Sequence, residues 1–230
     1  MTKPWKRWGP HKTGPQVPTL ASLDAYARWA EAYPPTAHNA LMRAEETAVK
    51  ALLPDLRGRT VLDLACGTGR WGLAVQDLGA RSVLGFDNSP DMLARCALPT
   101  SALAEFAALP LPAQSIDTVI CGLALGHVAD IRPAFREIRR VLVPGGVVVI
   151  SDVHPFIVLS GAQRTFADAQ GKTWAVEHTV HTISEYWNTG TAAGLTLTGI
   201  EEAPLRPDDA IGAPQPGVPV VLVLRFERQA

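Results

Sequence analysis

The chain has 230 residues, of which 47% are hydrophobic and 19% charged, and its formal net charge at pH 7 is −1. This composition is typical of a globular protein with one sizeable core and excludes a wholly disordered chain. Nearly balanced charge gives no general attraction for nucleic acid or for an anionic membrane, so neither is an expected partner. No apolar run reaches the ~20 residues that span a bilayer, and no apolar segment of a signal peptide follows the basic N-terminus.

The cysteines indicate the cellular compartment. Cys66, Cys96 and Cys121 are widely spaced and odd in number. They therefore predict neither a disulfide framework nor a metal site, and we expect a reduced, cytoplasmic protein.

Residues 1–58 are predicted to form an N-terminal arm and a helical cap. The first 18 or so are rich in Pro, Gly and basic residues and include Trp5 and Trp8, so we expect an irregular arm. Helices are predicted over 22–32, with Ser22 as the N-cap, and over 39–53.

From residue 59 onward, short Val/Ile/Leu-rich runs alternate with segments of helical spacing. This order predicts an α/β fold with a mostly parallel sheet and helices on both faces. A Pro/Gly-rich loop, not a helix, joins the last two strands, which favours an antiparallel last strand. The predicted strands cover 60–65, 82–87, 101–105, 116–121, 147–151, 195–201 and 219–227, and the helices between them cover 70–78, 91–97 and 131–142.

After the fifth strand the alternation stops. Residues 152–182 contain a predicted hairpin, with strands at 164–167 and 173–180, and Ser184 is the predicted N-cap of a helix ending at Gly194. We interpret 59–230 as one domain and 152–182 as an insertion that covers a substrate.

A glycine-rich turn follows the first long strand. Gly67 and Gly69 allow a tight turn and a close approach of a ligand, and the helix that follows directs free N–H groups toward it. This arrangement predicts a site for a nucleoside-bearing cofactor. Gly67, Gly69 and Gly72 also fit the dinucleotide fingerprint, with Asp87 at the spacing of a ribose-binding acid, so a nicotinamide dehydrogenase is one alternative.

The wider pattern resembles the class I S-adenosylmethionine-dependent methyltransferases, in particular the small-molecule group with the quinone-type and malonyl-carrier enzymes. The resemblance covers about residues 20–153. Its segments are VLDLACGTG at 61–69, AEFAALP at 104–110, SIDTV at 115–119 and RVLVPGG at 140–146. It implies a Rossmann-like seven-stranded sheet, S-adenosylmethionine as methyl donor and S-adenosylhomocysteine as product.

The resemblance also implies the cofactor site. Asp87 would accept hydrogen bonds from the ribose hydroxyls, Glu105 or the Phe106 backbone would meet adenine, and Asp63 would bond the turn backbone or the methionyl ammonium. For Arg70 we favour a solvated side chain over a contact with the cofactor carboxylate. The predicted cofactor-binding residues are Tyr33, Asp63, Ala65, Cys66, Gly67, Gly69, Asp87, Asn88, Met92, Glu105, Phe106 and Gly122.

Methyl transfer needs an oriented acceptor and, for some acceptors, a base. His154, just after the fifth strand, is the first candidate base and His181 the second. His127 and His178 are interpreted as structural.

The sequence thus predicts a methyltransferase that acts on a small molecule. The alternatives are a carboxyl methyltransferase acting on an acyl carrier and a cofactor-binding protein without turnover. The acceptor and the oligomeric state are not specified by these patterns.

Overall fold

A computed structural model describes residues 17–209 and 217–229. Most of the predicted N-terminal arm, with Trp5 and Trp8, lies outside this part of the chain. A seven-stranded sheet with the order β4-β3-β2-β5-β6-β10-β9 forms the centre. Its strands are β2 (Thr60–Leu64), β3 (Ser82–Asp87), β4 (Ser101–Leu103), β5 (Ile116–Gly122), β6 (Leu142–Val153), β9 (Leu195–Pro204) and β10 (Pro219–Arg228).

Alternating side chains along the strands build two cores, one on each face of the sheet. Val61, Val147 and Val149 face the core that α2 and α3 cover. Leu62, Val148 and Ile150 face the opposite core, to which α5 and α7 contribute Phe135 and Tyr186. This confirms helices on both faces. The helices are α1 (Ser22–Trp29), α2 (Ala40–Leu52), α3 (Arg70–Asp77), α4 (Pro90–Leu93), α5 (Arg132–Val141), α6 (Pro155–Leu159) and α7 (Ile183–Ala192).

The prediction of a mostly parallel sheet with an antiparallel last strand is also confirmed. The strands β4, β3, β2, β5 and β6 pair in parallel, whereas β10 is antiparallel to both of its neighbours, β6 and β9. The strand predicted at 147–151 is longer, because Leu142 already pairs with Ile116. The register of β6 against β5 is irregular between Leu142 and Val147, and Gly145 lies in this stretch with φ 73°.

Two predicted helix caps are wrong. The N-cap of α1 is Ala21, without a side-chain hydrogen bond, and Ser22 is the first helical residue. In α7 the cap is Thr182, whose hydroxyl accepts from the Glu185 N–H at 3.2 Å. The helix α1 thus begins at the predicted cap residue, whereas α7 begins at Ile183, one residue before the predicted cap.

The helix α2 packs against β6, β9 and β10, so it forms part of the layer that covers the sheet. The predicted division at residue 58 stays a prediction. Asn39 caps this helix by accepting a hydrogen bond from the Met42 N–H at 2.9 Å.

A second, three-stranded sheet, here called the cap sheet, has the order β1-β8-β7. It joins β1 (Thr19–Leu20) to the hairpin β7 (Thr165–Ala167) and β8 (Thr173–Val176). Trp29 of α1 stacks on Phe166 of this sheet, with ring centroids 4.8 Å apart. The N-terminal segment and the predicted insertion are thus one packed unit. Within the described ranges, no helix combines the length and apolar character required to cross a membrane.

Candidate active site

The central cavity lies at the carboxyl ends of β2, β3 and β5, where ligands of open α/β sheets bind. It is open to solvent and has a volume of about 880 Å³ including its open mouth. All the predicted cofactor-binding residues except Gly69 and Glu105 line it, namely Tyr33, Asp63, Ala65, Cys66, Gly67, Asp87, Asn88, Met92, Phe106 and Gly122. Gly69 instead forms the left-handed N-cap of α3, at φ 94°.

Two buried carboxylates, from adjacent strands, line this cavity. Asp63 Oδ2 accepts a hydrogen bond from the Gly72 N–H at 2.7 Å, which ties β2 to the first turn of α3. Asp87 accepts from the Gly67 N–H at 2.7 Å and from the Ser89 N–H at 2.8 Å. Burial raises the pKa of Asp63 to about 7, although the Gly72 N–H opposes the shift, and burial also raises the pKa of Asp87. Each carboxylate has acceptor capacity left for a ligand.

The backbone around this cavity adopts conformations that side chains disfavour. Ala65 and Leu123, which follow β2 and β5, have φ values of 60° and 56° although neither is glycine. Such residues cost of order 1–3 kcal/mol each and cluster at functional sites. Gly67 has φ 55°, and a Cβ there would lie 3.0 Å from Met92 Cε. The turn therefore keeps its backbone open to a ligand.

Residues at the far end of the cavity correspond to the predicted adenine side. Phe106, Met92 and Asn88 line it, whereas Glu105 is exposed and outside the lining. The Asn88 amide donates to Glu105 Oε2 at 3.3 Å. The strand β4 ends at Leu103, so Glu105 lies in the following turn, away from the cavity wall.

A buried polar network connects α2 to this cavity. Glu45 is fully buried, and its Oε1 accepts from Trp71 Nε1 at 3.0 Å and from the Ser151 hydroxyl at 2.6 Å. Its Oε2 lies 2.7 Å from Arg70 Nη2. The prediction of a solvated Arg70 is wrong, because its side chain is only 11% exposed and lines the cavity. Pairing with Glu45 compensates for the desolvation of its charge.

Aromatic residues from α1 and the segment after it form the roof. Tyr26 lines the cavity together with Tyr33. The Tyr26 hydroxyl lies 3.0 Å from His127 Nε2, and Arg164 Nη1 donates to the same nitrogen at 3.2 Å. His127 Nδ1 lies 3.0 Å from the Glu177 carbonyl, so Nδ1 carries the proton and Nε2 is the acceptor.

These surroundings move the pKa values of His127 and Tyr26 away from neutral pH. Burial and the neighbouring Arg164 charge lower the pKa of His127 to about 3, and burial raises the pKa of Tyr26. At neutral pH, both side chains are therefore uncharged.

The two histidines predicted as bases do not line this cavity or the larger one beside it. His154 caps α6, its Nδ1 accepting from the Phe156 N–H at 3.2 Å, and its Nε2 lies 2.8 Å from Glu202 Oε1. His181 Nε2 lies 2.8 Å from the Val128 carbonyl and its Nδ1 lies 3.0 Å from Glu185. Because β6 continues to Val153 beside β10, His154 lies next to β9, away from β2 and β3.

Glu45, Arg164 and His127 were not among the predicted site residues. An acidic residue among the apolar positions of an otherwise amphipathic helix is a signal for Glu45, because a buried carboxylate requires partners. Arg164 has no such signal, because only the docking of β7 against α1 brings it to the cavity.

A family model described as a methyltransferase domain matches residues 62–150. A demethylmenaquinone methyltransferase from Bacillus licheniformis is 33% identical over 102 residues, which cover 40% of this chain and 44% of that protein. A malonyl-[acyl-carrier protein] O-methyltransferase from Dechloromonas aromatica is 32% identical over 181 residues, covering 72% and 66%. The chain thus matches less than two thirds of the length of these curated relatives.

The crystal structure of an S-adenosylmethionine-dependent methyltransferase from Mesorhizobium loti has a TM-score of 0.67 and 28% sequence identity. The match covers 80% of this chain and 98% of that one. In this chain, the sheet order, the glycine turn and the carboxylates of Asp63 and Asp87 agree with the sequence motifs. The chain belongs to the class I S-adenosylmethionine-dependent methyltransferases.

Proposed function

We propose that this chain binds S-adenosylmethionine in the central cavity and transfers its methyl group to a small-molecule acceptor. The observation that carries the proposal is the placement of Asp63 and Asp87. Both are buried, both lie at the carboxyl ends of adjacent parallel strands near Gly67, and both line one cavity.

The residues fit this cofactor. Asp87 would accept hydrogen bonds from the ribose hydroxyls, and Asp63 would pair with the methionyl ammonium. Gly67 has no side chain, which leaves room for the ligand. A Cβ at this position would also meet Met92, which lines the same cavity. Phe106 and Met92 provide apolar surface for adenine. The bound cofactor supplies an electrophilic methyl group on a sulfonium, so the protein has to orient the acceptor and exclude water.

Support for a small acceptor comes from α1 and the cap sheet, which pack on each other beside the cavity and bring Tyr26 and Arg164 into its lining. One relative is named for a quinone acceptor, and another for a malonyl group on an acyl-carrier protein. A carboxyl methyltransferase acting on an acyl carrier is the alternative within the same class. Three free cysteines favour a reducing, cytoplasmic location, and balanced charge favours no role with nucleic acid.

The test is calorimetric titration with S-adenosylmethionine, S-adenosylhomocysteine and NADH. We expect the first two to bind and NADH not to bind. Asp87→Ala should abolish binding, whereas Asp91→Ala, an exposed acid in the first turn of α4, should leave it unchanged. Binding of NADH alone would refute the assignment of the cofactor.

Turnover separates an enzyme from a binding protein. With methyl-labelled cofactor and a metabolite extract, we expect label in a small-molecule fraction that is absent with Asp87→Ala. Tight cofactor binding without transfer to any fraction would favour a cofactor-binding protein that does not catalyse transfer.

A further inference from the structure

A second cavity lies beside the central one, and one residue lines both. The second cavity is the larger, about 2100 Å³ including its open mouth. Arg164, which precedes β7, is the residue that the two linings have in common. A group bound at Arg164 would thus be in contact with the cofactor cavity on one side and the second cavity on the other.

The guanidinium of Arg164 has only neutral partners. Its Nη1 donates to the Leu123 carbonyl at 3.0 Å and to His127 Nε2 at 3.2 Å. The Tyr33 hydroxyl lies beside it, and its Cζ is 5.7 Å from the ring centroids of both Tyr26 and Trp29. No carboxylate in residues 17–209 or 217–229 lies within 4.0 Å of it.

Arg70, the other arginine on the central cavity, differs in this respect, because Glu45 neutralises it. A guanidinium in a partly desolvated site gains most from a planar anion that accepts two hydrogen bonds. Among the described residues, Arg164 therefore has no carboxylate at ion-pair distance, although the charges of Asp152 and Glu45 act on it from farther away, and it can pair with a bound anion.

The second cavity combines apolar and polar side chains. Its apolar lining includes Leu41, Val153, Ile157, Val158 and Val220, and its polar lining includes Asn39, Gln163, His178 and the exposed Glu177. An apolar chain or ring would be desolvated there, while an anionic group attached to it would reach Arg164.

The central cavity also lacks a suitable base among its described histidines and tyrosines. Nε2 of His127 already accepts two hydrogen bonds, and the pKa of this imidazole is lowered to about 3. An acceptor that is already anionic at neutral pH needs no proton removed by the protein.

We propose that the acceptor is a carboxylic acid with an apolar body, whose carboxylate pairs with Arg164 and whose body occupies the second cavity. This inference rests on the proposed function, because it defines the substrate class of the same site. It makes Arg164 a residue that determines substrate specificity.

The experiment uses protein saturated with S-adenosylhomocysteine and, as probes, octanoate and the uncharged octanamide of the same shape. Titration calorimetry should show octanoate binding at least about tenfold more tightly than octanamide, as expected for a charge-assisted pair. Arg164→Gln should remove this preference, and Arg164→Lys should keep part of it. Arg28→Gln, an exposed arginine of α1, is the matched control and should keep the full preference.

The affinity for S-adenosylhomocysteine, measured first with each variant, distinguishes the two proposals. If the unaltered protein does not bind it, the proposed function fails before the substrate class is tested. Equal affinities for the two probes, or an unchanged preference in Arg164→Gln, would overturn the carboxylate proposal. Loss of S-adenosylhomocysteine binding in both Arg164 variants would also overturn it, because Arg164 would then serve the cofactor.

Discussion

Replacing Glu45 with alanine tests whether the buried network joins α2 to the site. Glu45 of α2 is fully buried and holds three groups from two other elements, because Arg70 and Trp71 belong to α3 and Ser151 belongs to β6. The change to alanine removes all three contacts and leaves the Arg70 charge without its carboxylate.

The expected magnitude follows from these contacts. Breaking a buried ion pair by removing one partner costs about 3–5 kcal/mol, because the other charge stays buried and uncompensated. The Trp71 N–H also loses its acceptor, which by itself costs about 1–3 kcal/mol. Since these terms overlap, we expect a loss of about 4 kcal/mol in the free energy of unfolding.

Urea denaturation followed by tryptophan fluorescence measures this loss, with Glu46→Ala as the control. Glu46 is the next residue in α2 and pairs with Lys50 one turn away, at the surface. Exposed pairs of this type contribute about 0.3–0.5 kcal/mol. The control removes the same side chain from the same helix without touching the network.

The double variant Glu45→Ala/Arg70→Met gives a second test. Because it removes the uncompensated charge, it should be more stable than Glu45→Ala alone. If Glu45→Ala destabilises no more than Glu46→Ala, or if the double variant is the less stable of the two, the reasoning about the buried pair is refuted.

Three further predictions concern the site and its supports. Burial raises the pKa of Asp63 in the folded chain from 3.8 to about 7. Between these pH values the folded chain binds the proton more tightly than the unfolded chain does, so the free energy of unfolding falls as pH rises through this window. Asp63→Asn should flatten the profile by up to about 4 kcal/mol in urea titrations from pH 4 to pH 8, and parallel profiles would contradict this. Gly67→Ala should lower the affinity for S-adenosylhomocysteine in calorimetry, because its Cβ meets Met92. The control is Gly58→Ala, at a position with φ 75° and no neighbour within 4 Å, which should show only the backbone cost of about 1–2 kcal/mol in the free energy of unfolding. Tyr186→Phe should cost about 1–3 kcal/mol in urea, because the buried Asp152 loses a hydroxyl donor at 2.6 Å; an unchanged midpoint would contradict it.

The sequence by itself determined the sheet and the position of the cofactor cavity. Strand runs such as 60–64 and 82–87 carry their own signal, because both faces of a parallel strand are covered and most of the run is apolar. The common position of Asp63, Gly67 and Asp87 at the cavity follows from such short segments, because the strand ends of a parallel sheet meet at one edge.

The tertiary structure decided which other side chains reach that edge. Arg70 has the spacing of a solvated first-turn residue, and only the approach of Glu45 from α2 buries it. His154 follows a strand end and so has the position of a base, but pairing of β6 with β10 directs it to Glu202. Arg164 reaches the cavity because β7 packs on α1, a contact between segments more than one hundred residues apart. Local sequence fixes the direction of the backbone, whereas long-range packing determines which charges are desolvated, and desolvation determines their chemistry.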